Sequence, residues 1–193
     1  MVAFWERLTV HPARISLIEV LAISGSLRAA STNSALLAAL AANAPSDCRV
    51  SPYDGLGRLP IFNPDDEGER TPSEASRLID AVTRADGVIV SCPEYAHGVP
   101  GGLKNALDWL VSRDAAVDKP AMLVHASPRS LFARAALSEI MRTMSFALFE
   151  DTALEIVLIG KKPPEMEQVL AEPASRLAMR EAVSAFAGFI RAR

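Results

Sequence analysis

The chain has 193 residues, half of them hydrophobic and 22% charged, with 10 Gly, 13 Pro, only 2 Cys and a formal net charge of −3. That length lets one core bury roughly 70% of the unfolded chain's surface without disulfide or metal staples. The composition excludes a disordered acidic tail, a disulfide scaffold and a strongly basic nucleic-acid binder. No apolar run reaches the roughly 18 residues a bilayer span needs, and the opening MVAFWERLTVHPAR lacks a signal peptide's unbroken apolar stretch. The expectation is a cytoplasmic protein with reduced thiols.

Residues 1–14 mix charges, Pro12 and isolated apolar residues without a period and predict an extension ahead of one domain at 15–193. An apolar run at 17–23 predicts a buried first strand, followed by a helix at 33–43 on which Leu36, Leu37 and Leu40 share a face. A second strand is expected at 49–53. The segment 54–72, rich in Gly, Pro and acids, predicts a long exposed loop. A helix at 73–85, a strand at 87–91 and a helix at 101–113 follow. Strands at 121–126 and 154–159 flank a helix at 133–146, and a last helix starts at Pro173, a residue suited to the first helical turn. Five strands alternating with five helices imply an α/β fold with a parallel sheet covered on both faces. Ligands of such sheets bind beyond the carboxyl ends of the strands.

Two loops at such ends carry chemistry. The first, Ser24 to Ser34, combines Gly25, Ser26, Arg28, Ser31, Thr32 and Asn33 ahead of a helix. Backbone and hydroxyl donors, a guanidinium and a helix N-terminus are what a phosphate requires. The plainer alternative is a loop whose Ser31, Thr32 or Asn33 only caps the helix. No GxxxxGK[ST], GxGxxG or GxSxG pattern is present, which disfavours nucleoside triphosphate, dinucleotide-fold and serine-hydrolase readings. Cys92 is not followed by the arginine that closes a phosphatase loop, since Gly98 and Val99 stand there.

The second loop, Cys92 to Gly102, carries Pro93, Glu94, Tyr95, Ala96, His97, Gly98, Pro100 and Gly101. A rigid Gly/Pro frame beside a planar tyrosine suits a flat ligand such as a flavin, with the amides of residues 95 to 98 as donors to its edge. An ordinary turn into a helix is the alternative. His97 has no acid or serine motif beside it, so only its backbone is assigned a contact. Glu94 either meets ligand or steadies the loop. Cys92 is expected as a small buried hydrophobe. No catalytic acid or base and no metal ligand stand out.

Gly25-Ser26-x-Arg28-x-x-Ser31-x-Asn33, with Pro93-Glu94-Tyr95 and Pro100-Gly101-x-Leu103-Lys104-Asn105-Ala106-x-Asp108-Trp109, resembles the NADPH-dependent FMN reductase family. The likeness runs from about residue 17 to 190 and includes Leu59 to Asp65. It implies a flavodoxin-like three-layer sandwich whose five-stranded parallel sheet has the order 2-1-3-4-5. It also implies FMN held at its phosphate by Ser26, Arg28, Ser31 and Asn33 with Thr32 contributing, and Pro93, Glu94, Tyr95, Ala96 and His97 lying against the isoalloxazine. The activity implied is hydride transfer from NADPH or NADH to FMN and on to a quinone-like or other small acceptor, by a homodimer or homotetramer with Trp109 either at the subunit interface or packed within the chain. An electron carrier of the flavodoxin type and a non-catalytic binding protein of the same fold are the alternatives. The chain departs from the family pattern at Ala96, where Asn is usual, and at Ser127-Pro128-Arg129-Ser130, where a glycine-rich turn is common.

Overall fold

The computed structural model describes residues 17–193, so the extension expected at 1–14 lies outside the described residues. Five strands, β1 (Ile18–Ser24), β2 (Cys48–Pro52), β3 (Gly87–Ser91), β4 (Pro120–His125) and β5 (Ala147–Glu155), form one parallel sheet of order β2-β1-β3-β4-β5. Six helices cover it: α1 (Thr32–Asn43), α2 (Ser73–Arg84), α3 (Gly101–Asp108), α4 (Leu131–Thr143), α5 (Pro163–Ala171) and α6 (Pro173–Arg191).

Alternation along the strands divides the apolar residues between two faces. Val20 and Ala22 of β1 pack with Leu36, Leu37 and Leu40 of α1 and with Met179, Val183 and Phe186 of α6. Leu21 and Ile23 face the other way, into a layer formed with Leu78 of α2, Leu103 and Leu107 of α3 and Leu137 and Met141 of α4. The central β3 is buried along its whole length. The sheet order and the helices on both faces agree with the flavodoxin-like expectation.

Three elements, β5, α3 and α4, have bounds more than one residue from the sequence expectation. The fifth strand was expected at 154–159, but β5 begins at Ala147. Pro120, Ala121 and Met122 pair with Ala147, Leu148 and Phe149, and after a register shift Val124 pairs with Leu154. Polar Glu150, Asp151 and Thr152 occupy that irregularity and split the apolar pattern in two. The later limb does continue past Glu155 through backbone bonds from Ile156 N–H to His125 O and from Leu158 N–H to Ala126 O, both 2.9 Å.

The sixth helix, α5, is an addition to the five expected. Its two leading prolines and the Glu165 side chain accepting from Lys162 N–H at 2.6 Å define its start, while Met166 and Leu170 bury its inner stripe. Helix α3 stops at Asp108 instead of 113: Trp109 keeps helical dihedrals and bonds Asn105 O, and from Leu110 onward the backbone bonds shorten to the third residue back. Helix α4 starts and ends two to three residues earlier than expected. Its end is closed by Ser145 at φ 65° and by Phe146 N–H donating back to Met141 O at 3.0 Å, a left-handed cap made without glycine.

The segment between β2 and α2 contains three single 3-10 turns and is fastened to α3. Asn105 accepts from Phe62 N–H at 2.8 Å and donates to Pro60 O at 2.9 Å, and the Trp109 indole donates to the same carbonyl at 2.9 Å. Phe62 meets the Trp109 ring edge-on at a centroid distance of 5.0 Å. Trp109 is fully buried within the chain. Asn105→Ala would leave Phe62 N–H without its side-chain acceptor and Pro60 O with the Trp109 indole alone. A loss of roughly 1–3 kcal/mol in denaturant unfolding is expected, together with faster proteolytic cleavage between residues 54 and 72.

Candidate functional site

The loops that follow β1, β3 and β4 meet beyond the carboxyl ends of their strands. They enclose a cavity of about 300 Å³ lined by Thr32, Asn33, Pro93, Glu94, Tyr95, Ser127, Arg129, Ser130 and Ile159. Five of the ten residues singled out in the sequence, Thr32, Asn33, Pro93, Glu94 and Tyr95, therefore share one wall system.

The first loop is drawn tight against β3. Gly25 N–H donates to Ser91 O at 2.8 Å, and a Cβ on Gly25 would stand 3.0 Å from Leu103 and 3.2 Å from Pro93. Only glycine lets the two loops approach this closely. Ser31 caps α1 by accepting from Ser34 N–H at 3.2 Å, which leaves its own hydroxyl proton free to donate elsewhere. Ser34 donates to Ser24 Oγ at 2.9 Å, and Ser26 Oγ accepts from Arg28 N–H at 3.4 Å. The amides of Thr32 and Asn33, in the first turn of α1, meet no acceptor among the described residues. They are the orphan donors of a helix start. Ser31 therefore caps the helix, as the plainer reading of this loop expects, and the two amides beside it remain without an acceptor among the described residues.

Asn33 is buried, its Oδ1 accepting from the fully buried Ser91 hydroxyl at 2.9 Å. Arg28 is exposed and forms no ion pair among the described residues. Ser26, Arg28 and Ser31 do not line the 300 Å³ cavity. Ser31 instead stands at the rim of a larger groove of about 780 Å³ between α1 and α5, which is walled mainly by alanines, Met166 and Leu170. Ser31, Ser34, Asn43, Glu167 and Arg176 are polar among the fifteen residues of that groove, against seven of nine in the smaller cavity, which is therefore the better candidate for specific binding.

In the second loop Tyr95 and Gly98 exchange both backbone bonds, at 3.1 and 3.0 Å, across Ala96 and His97. These two residues sit at φ 49° and 57°, consecutive left-handed positions without glycine. Of the four amides expected as donors, those of Tyr95 and Gly98 are spent on each other. Those of Ala96 and His97 meet no acceptor among the described residues. The His97 ring lies outside the cavity, stacked on Phe132 at 4.5 Å. Glu94 Oε2 accepts from Ala133 N–H at 3.0 Å, in the first turn of α4. Ser130, in the turn that departs from the family pattern, was assigned no contact in the sequence, and Ser91 was not found; both are buried at this site. A serine closing an otherwise apolar strand was the available signal for Ser91.

The sequence profile of the NADPH-dependent FMN reductase family matches residues 18–157. The chain belongs to that family. Among its relatives, the quinone reductase of Escherichia coli (strain K12) is 36% identical over 94 residues, covering 48% of this chain and 50% of the relative. A 2-hydroxy-1,4-benzoquinone reductase of Burkholderia sp is 39% identical over 92 residues, covering 48% and 49%. The chain spans about half the length of the curated relatives it matches. A similar solved structure is FerB, a flavoenzyme NAD(P)H:(acceptor) oxidoreductase from Paracoccus denitrificans, with TM-score 0.75 and 25% identity over 90% of this chain and 97% of that one.

Neither thiol suits redox chemistry. Burial pushes Cys92 up to about 12, with the Glu94 carboxylate adding to it, and pushes Cys48 up to about 11. Both thiols stay neutral in the folded protein at any ordinary pH. Their contribution to stability is present below the ordinary thiol value of 9.0 and is lost as pH rises from there towards 11 and 12, because the unfolded chain ionises first. At pH 8 the native protein should show no reaction with a disulfide reagent, and both thiols should react once guanidinium unfolds the chain. A native thiol that reacts quickly would contradict this burial.

Proposed function

We propose that the protein is an FMN-dependent NAD(P)H oxidoreductase that passes electrons to a quinone-like or other small acceptor, with residues 15–193 as its FMN-binding domain. The observation that carries this reading is the convergence of the loops after β1 and β3 on one cavity, with free donors in both loops. That the relatives are quinone reductases and an NAD(P)H:(acceptor) oxidoreductase supports the same chemistry.

The donor set fits the cofactor. The amides of Thr32 and Asn33, the Ser31 hydroxyl proton and the positive end of α1 would hold the phosphate, and Arg28 would swing in from solvent to neutralise it. Ser26 shapes the turn that brings Arg28 there by accepting from its amide. Pro93 and Tyr95 supply flat apolar surface, while the amides of Ala96 and His97 would donate to the polar edge of the ring system. When bound, FMN supplies hydride acceptance from NAD(P)H and electron delivery to the acceptor. The chain's own work is to bind, orient and exclude water, so no acid or base is assigned.

Among the described residues no helix is long and apolar enough to cross a membrane. A cytoplasmic homodimer or homotetramer belongs to the same proposal, with the exposed Leu131 and Phe132 beside the site as apolar surface for a second copy.

Purified protein should carry flavin absorption near-stoichiometric with protein and oxidise NADPH or NADH in the presence of a benzoquinone. Colourless protein that gains neither thermal protection nor NAD(P)H oxidation on adding FMN would overturn the reading. Flavin binding without NAD(P)H turnover would favour an electron carrier. Arg28→Ala should weaken FMN binding by roughly 1.5–3 kcal/mol, measured by quenching of FMN fluorescence. Unchanged affinity would remove Arg28 from the site.

A further inference from the structure

We infer that Glu94 is the positioning residue that sets the separation of the two walls of the cavity, by tying the loop after β3 to the first turn of α4. The inference rests on the cofactor reading above and assigns Glu94 a role through another element, not a contact with ligand. One wall is Pro93 to Tyr95; the other is Ser127, Arg129 and Ser130, the turn that feeds α4.

Helix α4 starts without a local cap. Ser130 occupies the N-cap position but its side chain makes no capping bond. The cap comes from a residue 39 positions earlier: Glu94 Oε2 accepts from Ala133 N–H at 3.0 Å, and Ala133 is fully buried. A carboxylate at the positive end of a helix is stabilised both by the bond and by the aligned peptide dipoles. The preceding α4 residue makes a second tie, since Phe132 stacks on His97 with the rings 17° from parallel. The following residue fastens the other side. Arg134 donates to Ser127 O and to the Glu155 carboxylate on β5, so the β4–α4 turn is anchored to the sheet.

Three consecutive residues of α4 thus bind the Pro-Glu-Tyr loop on one side and the sheet on the other. The loop needs that support. Ala96 and His97 both hold left-handed backbone, which is strained for residues other than glycine, and such conformations persist only where the surroundings over-determine them. Releasing Glu94 would let the loop relax and the walls part.

The test compares full-length wild type with Glu94→Gln, Glu94→Asp and Glu94→Ala by amide exchange at Ala133 in the FMN-free protein and by FMN titration. The glutamine oxygen accepts the same N–H, so Glu94→Gln should keep both readouts within about threefold of wild type, whereas Glu94→Ala should raise the FMN Kd roughly tenfold and speed exchange at Ala133. Glu94→Asp keeps the charge but is one methylene short of the helix, and should weaken FMN to a level between the two. It also serves if the alanine variant fails to fold. Wild-type FMN affinity in Glu94→Ala or Glu94→Asp would overturn the inference. So would a glutamine variant as weak as the alanine, because the charge and not the tie would then matter. Wild-type protein that binds no FMN would instead sink the cofactor reading itself, whatever the exchange at Ala133 shows.

Discussion

The structure turns on the seam between β1 and β3 at their carboxyl ends. Gly25 N–H bonds Ser91 O, the Ser91 hydroxyl bonds Asn33 Oδ1, and a Cβ on Gly25 would run into Leu103 and Pro93. Three elements are pinned within a few ångströms: the loop after β1, the start of α1 and the loop after β3. A hydrogen bond between two buried side chains is costly to leave half made. Ser91 and Asn33 therefore specify each other, and their match aims the amides of α1 towards the side of the sheet where the second loop stands.

From that seam the structure extends by successive attachments, made by Glu94, Asn105 and Trp109 of the motif residues and by Arg134. On one flank Asn105 and Trp109 of the α3 region hold the segment before α2 through Pro60 and Phe62, which fastens a long Gly/Pro-rich connection to the helix that follows the second loop. On the other flank Glu94 and Arg134 bind α4 to the second loop and to β5. The loops are surface segments, yet Pro60 O, Phe62 N–H and Ser127 O are each held by a side chain of an element behind them. That explains how a binding site on loops can be rigid.

Much of this was legible in sequence because it follows short-range rules. The strands after residue 17, the helices at 33–43 and 73–85 and the last helix from Pro173 declare themselves by period, and the family resemblance supplies the strand order. Both candidate loops were also legible, since their Gly, Pro, Ser and Arg content is unusual for plain connections. What escaped detection depends on pairings far apart in sequence. The register shift in β5 places Glu150, Asp151 and Thr152 inside a strand, which no local pattern reveals. Helix α5 was obscured by its double proline. The role of Glu94 was open in sequence because its partner, Ala133, offers only a backbone N–H, which every residue but proline carries.

The electrostatics give the mildly acidic composition a narrower meaning. A net charge of −3 opposes polyanions at long range, but screening confines that field to about 10 Å or less at ordinary ionic strength. Within that distance the first turn of α1 presents unpaired amides and the aligned peptide dipoles, and Arg28 is free of carboxylates among the described residues. At the other loop, the carboxylate of Glu94 is engaged by the positive end of α4 and does not stand unpaired beside the cavity. Burial meanwhile keeps the Cys92 thiol neutral behind it. The Glu94 carboxylate is thus partly offset by the α4 dipole, the Cys92 thiol is uncharged, and the unpaired amides of α1 with Arg28 supply the local attraction an anionic group needs.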